Sequence, residues 1–112
     1  MLRLPPFRYV RPNTVAEAAK VLAAHPGEAM VLAGGTDLIP NLKRRQFDAK
    51  ILVAVGHLAE LRTFTTNGEI AIGSGMKLAD VAAQEYVRRR ASGLVEAVLQ
   101  IANPQIQRQG TI

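Results

Sequence analysis

The segment over residues 31–38 combines residue types whose spacing suits the binding of an anion. A short apolar run over residues 29–33 meets two glycines, and two residues that favour helix caps then precede an apolar and basic stretch. The first turn of a helix leaves its N–H groups unpaired and carries partial positive charge, which a phosphate group matches. Glycines let the backbone approach a ligand and adopt positive φ. A phosphate-binding turn is one interpretation, and a plain strand-to-helix turn is the other, because neither the dinucleotide fingerprint nor the P-loop pattern is present.

Other side chains offer little covalent or metal chemistry. The 112-residue chain contains no cysteine, which excludes disulfides and cysteine-bound zinc or iron–sulfur clusters within it. The two histidines, His25 and His57, lack metal-ligand spacing, and we expect both to be exposed to solvent. No serine has a histidine nearby, and the carboxylates are scattered, with Asp37 and Asp80 explained as helix caps. We therefore predict no catalytic residue and no metal site in this chain.

Strands and helices alternate in the first half of the chain and would hold the Gly-Gly turn in place. The patterns predict strand, helix, strand, helix and strand over residues 7–10, 14–25, 29–33, 38–45 and 50–55. The first helix opens with the capping box Thr14-x-x-Glu17. The second strand is apolar throughout, so we expect it to be buried on both faces and parallel to the first strand. This β-α-β-α-β order predicts a small parallel sheet with helices packed on it.

The pattern changes near residues 56–60, which we interpret as a boundary between a subdomain over residues 1–56 and a second one over residues 57–112. Strand-like segments over residues 61–66 and 69–73 flank Asn67-Gly68, a strong hairpin signal. The fold class predicted is α+β, with a β-α-β-α-β subdomain followed by the start of an antiparallel-sheet subdomain.

Two helices are predicted in the second subdomain. One begins near Leu78, with Leu78, Val81 and Ala82 on one face. The other covers residues 92–101, with Ser92 as a possible cap, and Pro104 ends it. Its apolar positions Leu94, Val98 and Leu99 are expected to be left uncovered, which favours association.

The net charge of +5, from 14 basic and 9 acidic residues, raises the question of an acidic partner. The basic residues are concentrated at residues 43–45 and 88–90, where we place helix ends, and helix C-termini favour lysine and arginine. No aromatic stacking platform is interleaved with them, which makes a nucleic-acid partner unlikely. The alternative function is a non-catalytic basic module that binds nucleic acid or an acidic protein.

The N-terminal residues, interrupted by Pro5 and Pro6, lack the apolar core of a signal peptide. No run approaches 18 apolar residues, so we predict no membrane span and a cytoplasmic protein.

Two motifs in order carry a resemblance to a known family. The first consists of Val31, Leu32, Ala33, Gly34, Gly35, Thr36, Asp37 and Leu38. The second consists of Ile101-Ala102-Asn103-Pro104-Gln105-Ile106 and Gly110-Thr111-Ile112. With residues 72–78 and the opening over residues 7–12, they make nearly the whole chain similar to the molybdopterin dehydrogenase FAD-binding family. That family supplies the FAD-binding medium subunits of enzymes of the carbon monoxide dehydrogenase and xanthine dehydrogenase type.

The resemblance implies a two-part FAD fold of the PCMH type, with FAD between the subdomains. The turn over residues 33–37 would hold its pyrophosphate, flanked by Val31, Leu32 and Leu38. Ile101 or Ala102, together with Thr111, would approach the flavin. The resemblance also implies an electron-transferring oxidoreductase subunit in a hetero-oligomer. Its partners would be a large subunit carrying the molybdenum cofactor and a small subunit carrying iron–sulfur clusters, and electrons would leave through FAD to an acceptor.

Two departures from the family pattern bear on these expectations. The common Ile-Arg-Asn of the second motif is Ile106-Gln107-Arg108 here, and the sequence ends at Ile112, before the Gly-Gly-Asn or Gly-Gly-Ser that usually follows. We therefore expect an N-terminal fragment with an incomplete second subdomain. An inactive truncated remnant is a further alternative.

Overall fold

Residues 2–112 are described by a computed structural model, and their contacts form two units. The first unit ends at Leu58, and the second comprises Ala59–Ile112. Both contain helices and strands, and the predicted α+β class is confirmed. Within residues 2–112, no helix is long and apolar enough to cross a membrane.

The first unit follows the predicted β-α-β-α-β order. Within its described residues, the elements are β1 (Arg8–Val10), α1 (Val15–Ala24), β2 (Ala29–Leu32), α2 (Leu38–Lys43) and β3 (Ile51–Ala54).

Strand β3 is the centre of the sheet in the first unit. The strand order is β1-β3-β2, and β3 pairs in parallel with both neighbours, so that Leu52 lies opposite both Tyr9 and Met30. All four residues of β3 are buried. β1 and β2 run parallel to each other as predicted, but the expectation that they pair directly is wrong, because β3 lies between them. The predicted burial of β2 on both faces is also wrong, since β2 is an edge strand and Val31 retains 46% of its exposure.

The start of α1 confirms the Thr14 cap. Oγ1 of Thr14 accepts a hydrogen bond of 3.1 Å from the N–H of Glu17. The carboxylate of Glu17 accepts in return from the N–H of Asn13, at 2.7 Å, rather than from Thr14 itself. The helix ends at Ala24 with His25 as its C-cap, and Gly27 follows with φ of 75°. Both ends of α1 are therefore set by local backbone chemistry readable in the sequence.

The second unit begins with a short 3-10 helix, Ala59–Leu61, and contains a hairpin and four helices within its residues. The strands are β4 (Phe64–Thr65) and β5 (Ala71–Ile72), and the helices are α3 (Leu78–Ala83), α4 (Glu85–Arg90), α5 (Ser92–Leu99) and α6 (Pro104–Gln109).

The predicted hairpin is present with a wider loop. Phe64 pairs with Ile72 in antiparallel fashion, and Gly68 at the loop has φ of 78°. Beyond β5, the N–H of Gly73 donates to the carbonyl of Thr63 at 2.7 Å. A side chain on Gly73 would overlap the carbonyl oxygen of Leu61, so this position requires glycine.

Helix α3 has the predicted buried face of Leu78, Val81 and Ala82. Helix α5 ends at Leu99, and its N-cap is Ala91, without a side-chain cap hydrogen bond. The predicted role of Ser92 as a cap is therefore wrong.

Helix α6 was not predicted, and the helix expected from Leu78 to a basic end at residues 88–90 is divided into α3 and α4. Pro104 was expected to end a helix, but it occupies the first position of α6, and Asn103 is the N-cap that accepts from the N–H of Ile106 at 3.0 Å. Proline suits the first position because its missing N–H would have no partner there. Helix α4 is separated from α3 only by Gln84, which has an extended backbone conformation.

The core of the second unit covers most of the apolar face that was expected to be open. Val98 is 1% exposed and packs with Leu78 and Ala82, and Leu94 is partly buried against them. The expectation of an uncovered surface is therefore wrong for Val98 and Leu94, because α3 packs on α5. Leu99, at 62% exposure, lies on the surface as expected.

Candidate functional site

The turn between β2 and α2 is built around Gly35. Its φ is 74°, a conformation that L residues with side chains rarely adopt. A β-carbon placed on Gly35 would lie 3.1 Å from Cγ1 of Ile39 and 3.2 Å from Cδ1 of Leu32. The backbone conformation therefore favours glycine at this position, and a side chain would also be crowded there.

The turn is anchored to the core of the first unit by apolar side chains. Leu32 and Leu38, one on each side of the turn, pack against the buried cluster of Leu42, Ala49 and Leu52. Leu42 and Leu52 are fully buried, and burial of such a leucine stabilises a fold by roughly 1.5–3 kcal/mol. These contacts hold the backbone of the turn in one conformation.

The backbone N–H groups at the start of α2 are open. Within residues 2–112, the N–H groups of Gly35, Thr36, Asp37 and Leu38 donate to no protein acceptor. The first backbone donor after them is Ile39, whose N–H bonds the carbonyl of Gly35 at 3.1 Å. Consecutive free donors at a helix start form an arrangement that can accept an anion.

Asp37 stands at the N-cap position of α2, but the prediction that its side chain caps the helix is wrong. Its backbone is already helical, with φ of −103° and ψ of −51°, and its side chain makes no cap hydrogen bond. Oδ1 of Asp37 instead accepts from the side-chain amide of Asn41 at 3.0 Å, four residues along the chain. A capping carboxylate would occupy the open N–H groups of the turn, and this one leaves them available.

The remaining residues of the first motif differ in exposure. Val31 is 46% exposed on the edge strand, whereas Leu32 and Leu38 are partly buried against the core of the first unit. The N–H of Val55 donates to the carbonyl of Leu32 at 2.9 Å, and Gly56 approaches the carbonyl of Ala33 closely enough that a β-carbon would lie 3.4 Å from it. Gly56 supports the turn, and sequence analysis treated it only as part of a boundary.

The second motif lies in the second unit, at the two ends of α6. Ile101 and Ala102 immediately precede its N-cap, and Ala102 has φ of 44°, in the left-handed region. Thr111 follows the helix and forms an antiparallel bridge with Lys77. Because α6 has six residues, its length of about 9 Å separates the two parts of the motif.

Sequence analysis missed the most buried polar side chain of this region. Gln107 is 9% exposed, and its amide nitrogen donates to the carbonyls of Ile101 at 2.9 Å and Leu99 at 3.3 Å. From the sequence, Gln107 was noted only because it departs from the family pattern, and no structural role was predicted for it. Its neighbours in α6 are mostly polar, with Gln105, Arg108 and Gln109 in the same helix, so no hydrophobic pattern in the sequence indicated its burial.

The histidines are not the exposed side chains that were expected. His57 is half-buried, and its Nε2 lies 2.6 Å from the carbonyl oxygen of Pro12. Because a carbonyl oxygen can only accept a hydrogen bond, Nε2 is the donor. His25 is also half-buried, and its Nδ1 lies 3.9 Å from a carboxylate oxygen of Glu28. Within residues 2–112, no cluster of three or more acidic, histidine or cysteine side chains could hold a metal ion.

The basic residues over positions 88–90 form the last turn of α4. Nε of Arg88 donates to the carbonyl of Ala82 at 3.0 Å, and Nε of Arg89 lies 2.9 Å from Glu85. The guanidinium of Arg90 lies 5.9 Å from the ring centre of Tyr86. Each arginine therefore has a local partner, in agreement with the interpretation as a helix end.

Comparison with known proteins identifies the family to which the chain belongs. The family model for the FAD binding domain in molybdopterin dehydrogenase matches residues 5–112. The chain belongs to this family of FAD-binding domains, and FAD is its cofactor. The alternative of a basic binding module is not favoured by this match.

Relatives and solved structures agree with the family. The carbon monoxide dehydrogenase medium chain of Hydrogenophaga pseudoflava is 34% identical over 109 residues, which are 96% of this chain and 38% of the relative. The xanthine dehydrogenase FAD-binding subunit of Escherichia coli O157:H7 is 34% identical over 92% of this chain and 36% of its own length. The crystal structure of a Cu,Mo-CO dehydrogenase in its cyanide-inactivated form superposes with a TM-score of 0.94 at 30% identity, over 98% of this chain and 39% of that chain. The chain thus spans less than two-fifths of the length of these relatives.

Proposed function

We propose that the chain is part of an electron-transferring FAD subunit in a molybdenum hydroxylase complex. The support is the family match over residues 5–112 and the likeness to medium and FAD-binding subunits of carbon monoxide and xanthine dehydrogenases. Bound FAD supplies the capacity to accept an electron pair and pass electrons on. The contribution of this chain is to bind and orient the cofactor, and it needs no nucleophile or general base of its own.

The pyrophosphate of FAD is assigned to the turn over residues 33–37. The observation that carries this assignment is Gly35, where positive φ and crowding around a β-carbon coincide with four open N–H groups. Hydrogen bonds from N–H groups to a charged acceptor are stronger than those between neutral groups. Thr36 adds a hydroxyl donor, and Val31 offers exposed apolar surface beside the turn. The residues present therefore fit a pyrophosphate.

The flavin is assigned to the second motif. Ile101 is 39% exposed and Ala102 is also exposed, so both can contact an apolar ring system. Thr111 has a side-chain hydroxyl available for a polar edge, and its backbone is fixed by the bridge to Lys77. Leu32 and Leu38 act from within the first unit by holding the turn in place.

A comparison of the binding affinities of the chain for FAD and for riboflavin tests the pyrophosphate assignment. Riboflavin has the same ring system without any phosphate, so the turn can contribute only to the binding of FAD. Because a hydrogen bond to a charged group contributes about 1.5–3 kcal/mol, we expect the affinity for FAD to exceed that for riboflavin by at least about tenfold. Equal affinities, measured by calorimetry on this 112-residue chain, would contradict the assignment.

The partners proposed are a large molybdenum-cofactor subunit and a small iron–sulfur subunit, and the location proposed is the cytoplasm. The two relatives named above, a medium chain and a FAD-binding subunit, support such an assembly. Affinity purification through a tag on this chain in its native host, followed by metal analysis, tests the proposal. We expect molybdenum and iron to co-purify in fixed ratio from the cytoplasmic fraction, and a chain purified without either metal would refute the assembly.

A further inference from the structure

We propose that Gln107 is a positioning residue that fixes the backbone of Ile101 and Ala102 for contact with the flavin. The inference rests on the proposed assignment of the flavin to the second motif. It adds a residue that sequence analysis and family resemblance did not place at the site.

Gln107 is unusual in its environment. Within residues 2–112, it is the only polar or charged side chain that is buried. Its amide nitrogen has two hydrogens, and both have an acceptor, the carbonyls of Ile101 at 2.9 Å and of Leu99 at 3.3 Å. Burial makes both bonds costly to lose, since an unpaired buried polar group is destabilising.

The positions of the two acceptor carbonyls, those of Leu99 and Ile101, explain what the side chain of Gln107 does. Helix α5 ends at Leu99, and the last carbonyls of a helix have no partner within it. Gln107 reaches from α6 and satisfies carbonyls on both sides of the point where the chain leaves α5. The segment that joins the two helices is therefore held by a side chain and not only by its own backbone.

The backbone conformation of Ala102 indicates that the hydrogen bonds of Gln107 are needed. Its φ of 44° is a left-handed conformation that is uncommon for residues with a side chain. Such conformations persist where the surroundings impose them, and they concentrate at ligand-binding sites. On one side of Ala102, Gln107 binds the Ile101 carbonyl, and on the other, Asn103 binds the N–H of Ile106 at 3.0 Å. The exposed face of Ile101 and Ala102 is thereby presented in one conformation.

The test compares Gln107→Met, which removes both donors at similar length, with the control Gln105→Met on the exposed side of α6. We expect Gln107→Met to weaken FAD binding about tenfold or more and to change the visible circular dichroism of bound flavin, at a temperature where the variant is fully folded. Gln105→Met should leave both unchanged. A variant Gln107→Met with the FAD affinity and flavin spectrum of the wild type would overturn the inference.

A second variant makes the hydrogen-bond donor at position 107 depend on pH. In Gln107→Glu, the carboxylate cannot donate to the carbonyls, whereas the protonated carboxyl can donate to one of them. We expect the FAD affinity of Gln107→Glu, relative to wild type at the same pH, to recover as the pH falls through the pKa of the new carboxyl. A relative affinity independent of pH would overturn the inference, and this series carries the test alone if Gln107→Met does not fold. Failure of the wild-type chain to bind FAD would instead refute the proposed function.

Discussion

Gly35 and Ile39 are joined by a hydrogen bond of 3.1 Å from the N–H of Ile39 to the carbonyl of Gly35, and a β-carbon on Gly35 would lie only 3.1 Å from Cγ1 of Ile39. The turn is therefore packed against the first residues of α2 from one side. Its own N–H groups from Gly35 to Leu38 stay open within the described chain. This combination of close packing and free donors is what makes the segment suitable for a phosphate.

Substitution of Gly35 by alanine should destabilise the first unit more than substitution of Gly27. Both glycines have φ near 75°, but a β-carbon on Gly27 meets nothing within 4 Å, whereas one on Gly35 meets Ile39 and Leu32. We expect a loss of unfolding free energy of about 1 kcal/mol for Gly27→Ala and of roughly 2–3 kcal/mol for Gly35→Ala. Urea denaturation measures both, and equal losses would show that crowding at Gly35 is unimportant.

Replacement of Ala102 by glycine should stabilise the second unit. Glycine adopts the φ of 44° found at Ala102 without the cost that alanine incurs there, and we expect a gain of about 1 kcal/mol. Ala97→Gly on the exposed side of α5 is the matched control, and it should lose about 1 kcal/mol because glycine disfavours helix. Thermal denaturation of both variants checks the prediction, and changes of the same sign would argue against strain at Ala102.

Removal of the cap of α6 should loosen the second motif. Asn103 Oδ1 accepts from the N–H of Ile106, so Asn103→Ala leaves that donor without its partner and should cost about 1 kcal/mol. Asn103→Asp keeps an acceptor at the same position and should retain most of the stability. If alanine and aspartate variants unfold at the same denaturant concentration, the cap contributes nothing.

The ion pair of Glu28 and Lys50 should give the first unit a small dependence of stability on pH. The amine of Lys50 lies 2.9 Å from Glu28, and its hydrogen bond and charge lower the pKa of that carboxyl, while Glu28 raises the pKa of Lys50. The contribution of Glu28 is therefore present above its ordinary pKa of 4.5 and is lost as pH falls through the lower folded value. The contribution of Lys50 is present below 10.5 and is lost as pH rises through the higher folded value.

The variant Lys50→Met isolates this pair. In this variant the pKa of Glu28, measured by NMR titration, should return towards 4.5. High salt should return the pKa of Glu28 in part in the wild type, because both groups are exposed and their interaction is screened. A Glu28 pKa that stays equally low in Lys50→Met would assign the shift to another cause.

The sequence was informative where the structure depends on local chemistry. The Thr14 cap, the glycine after α1, the apolar face of α3 and the glycine turn after β2 all depend on residues within a few positions of one another. Cap and turn preferences act over that range, so a single sequence contains the information.

The wrong predictions concern contacts between segments that are distant in the sequence. β2 and β3 are both short apolar runs, and nothing in either run tells which lies in the middle of the sheet; only the pairing of β3 with two neighbours settles it. Pro104 is equally suited to follow one helix or to begin another, and it begins α6 because α5 already ends at Leu99. The role of Gln107 was hidden for the same reason, since its acceptors lie on the far side of that junction.

The most direct test of the central claim is the FAD affinity of Gly35→Ala and Gly27→Ala, measured by calorimetry at a temperature where both variants are folded. If the turn over residues 33–37 holds the pyrophosphate, Gly27→Ala binds FAD as the wild type does, and Gly35→Ala binds it at least about tenfold more weakly. Riboflavin affinity should be the same in all three proteins. A Gly35→Ala variant with the FAD affinity of the wild type, or a wild-type chain without affinity for FAD, would contradict the account.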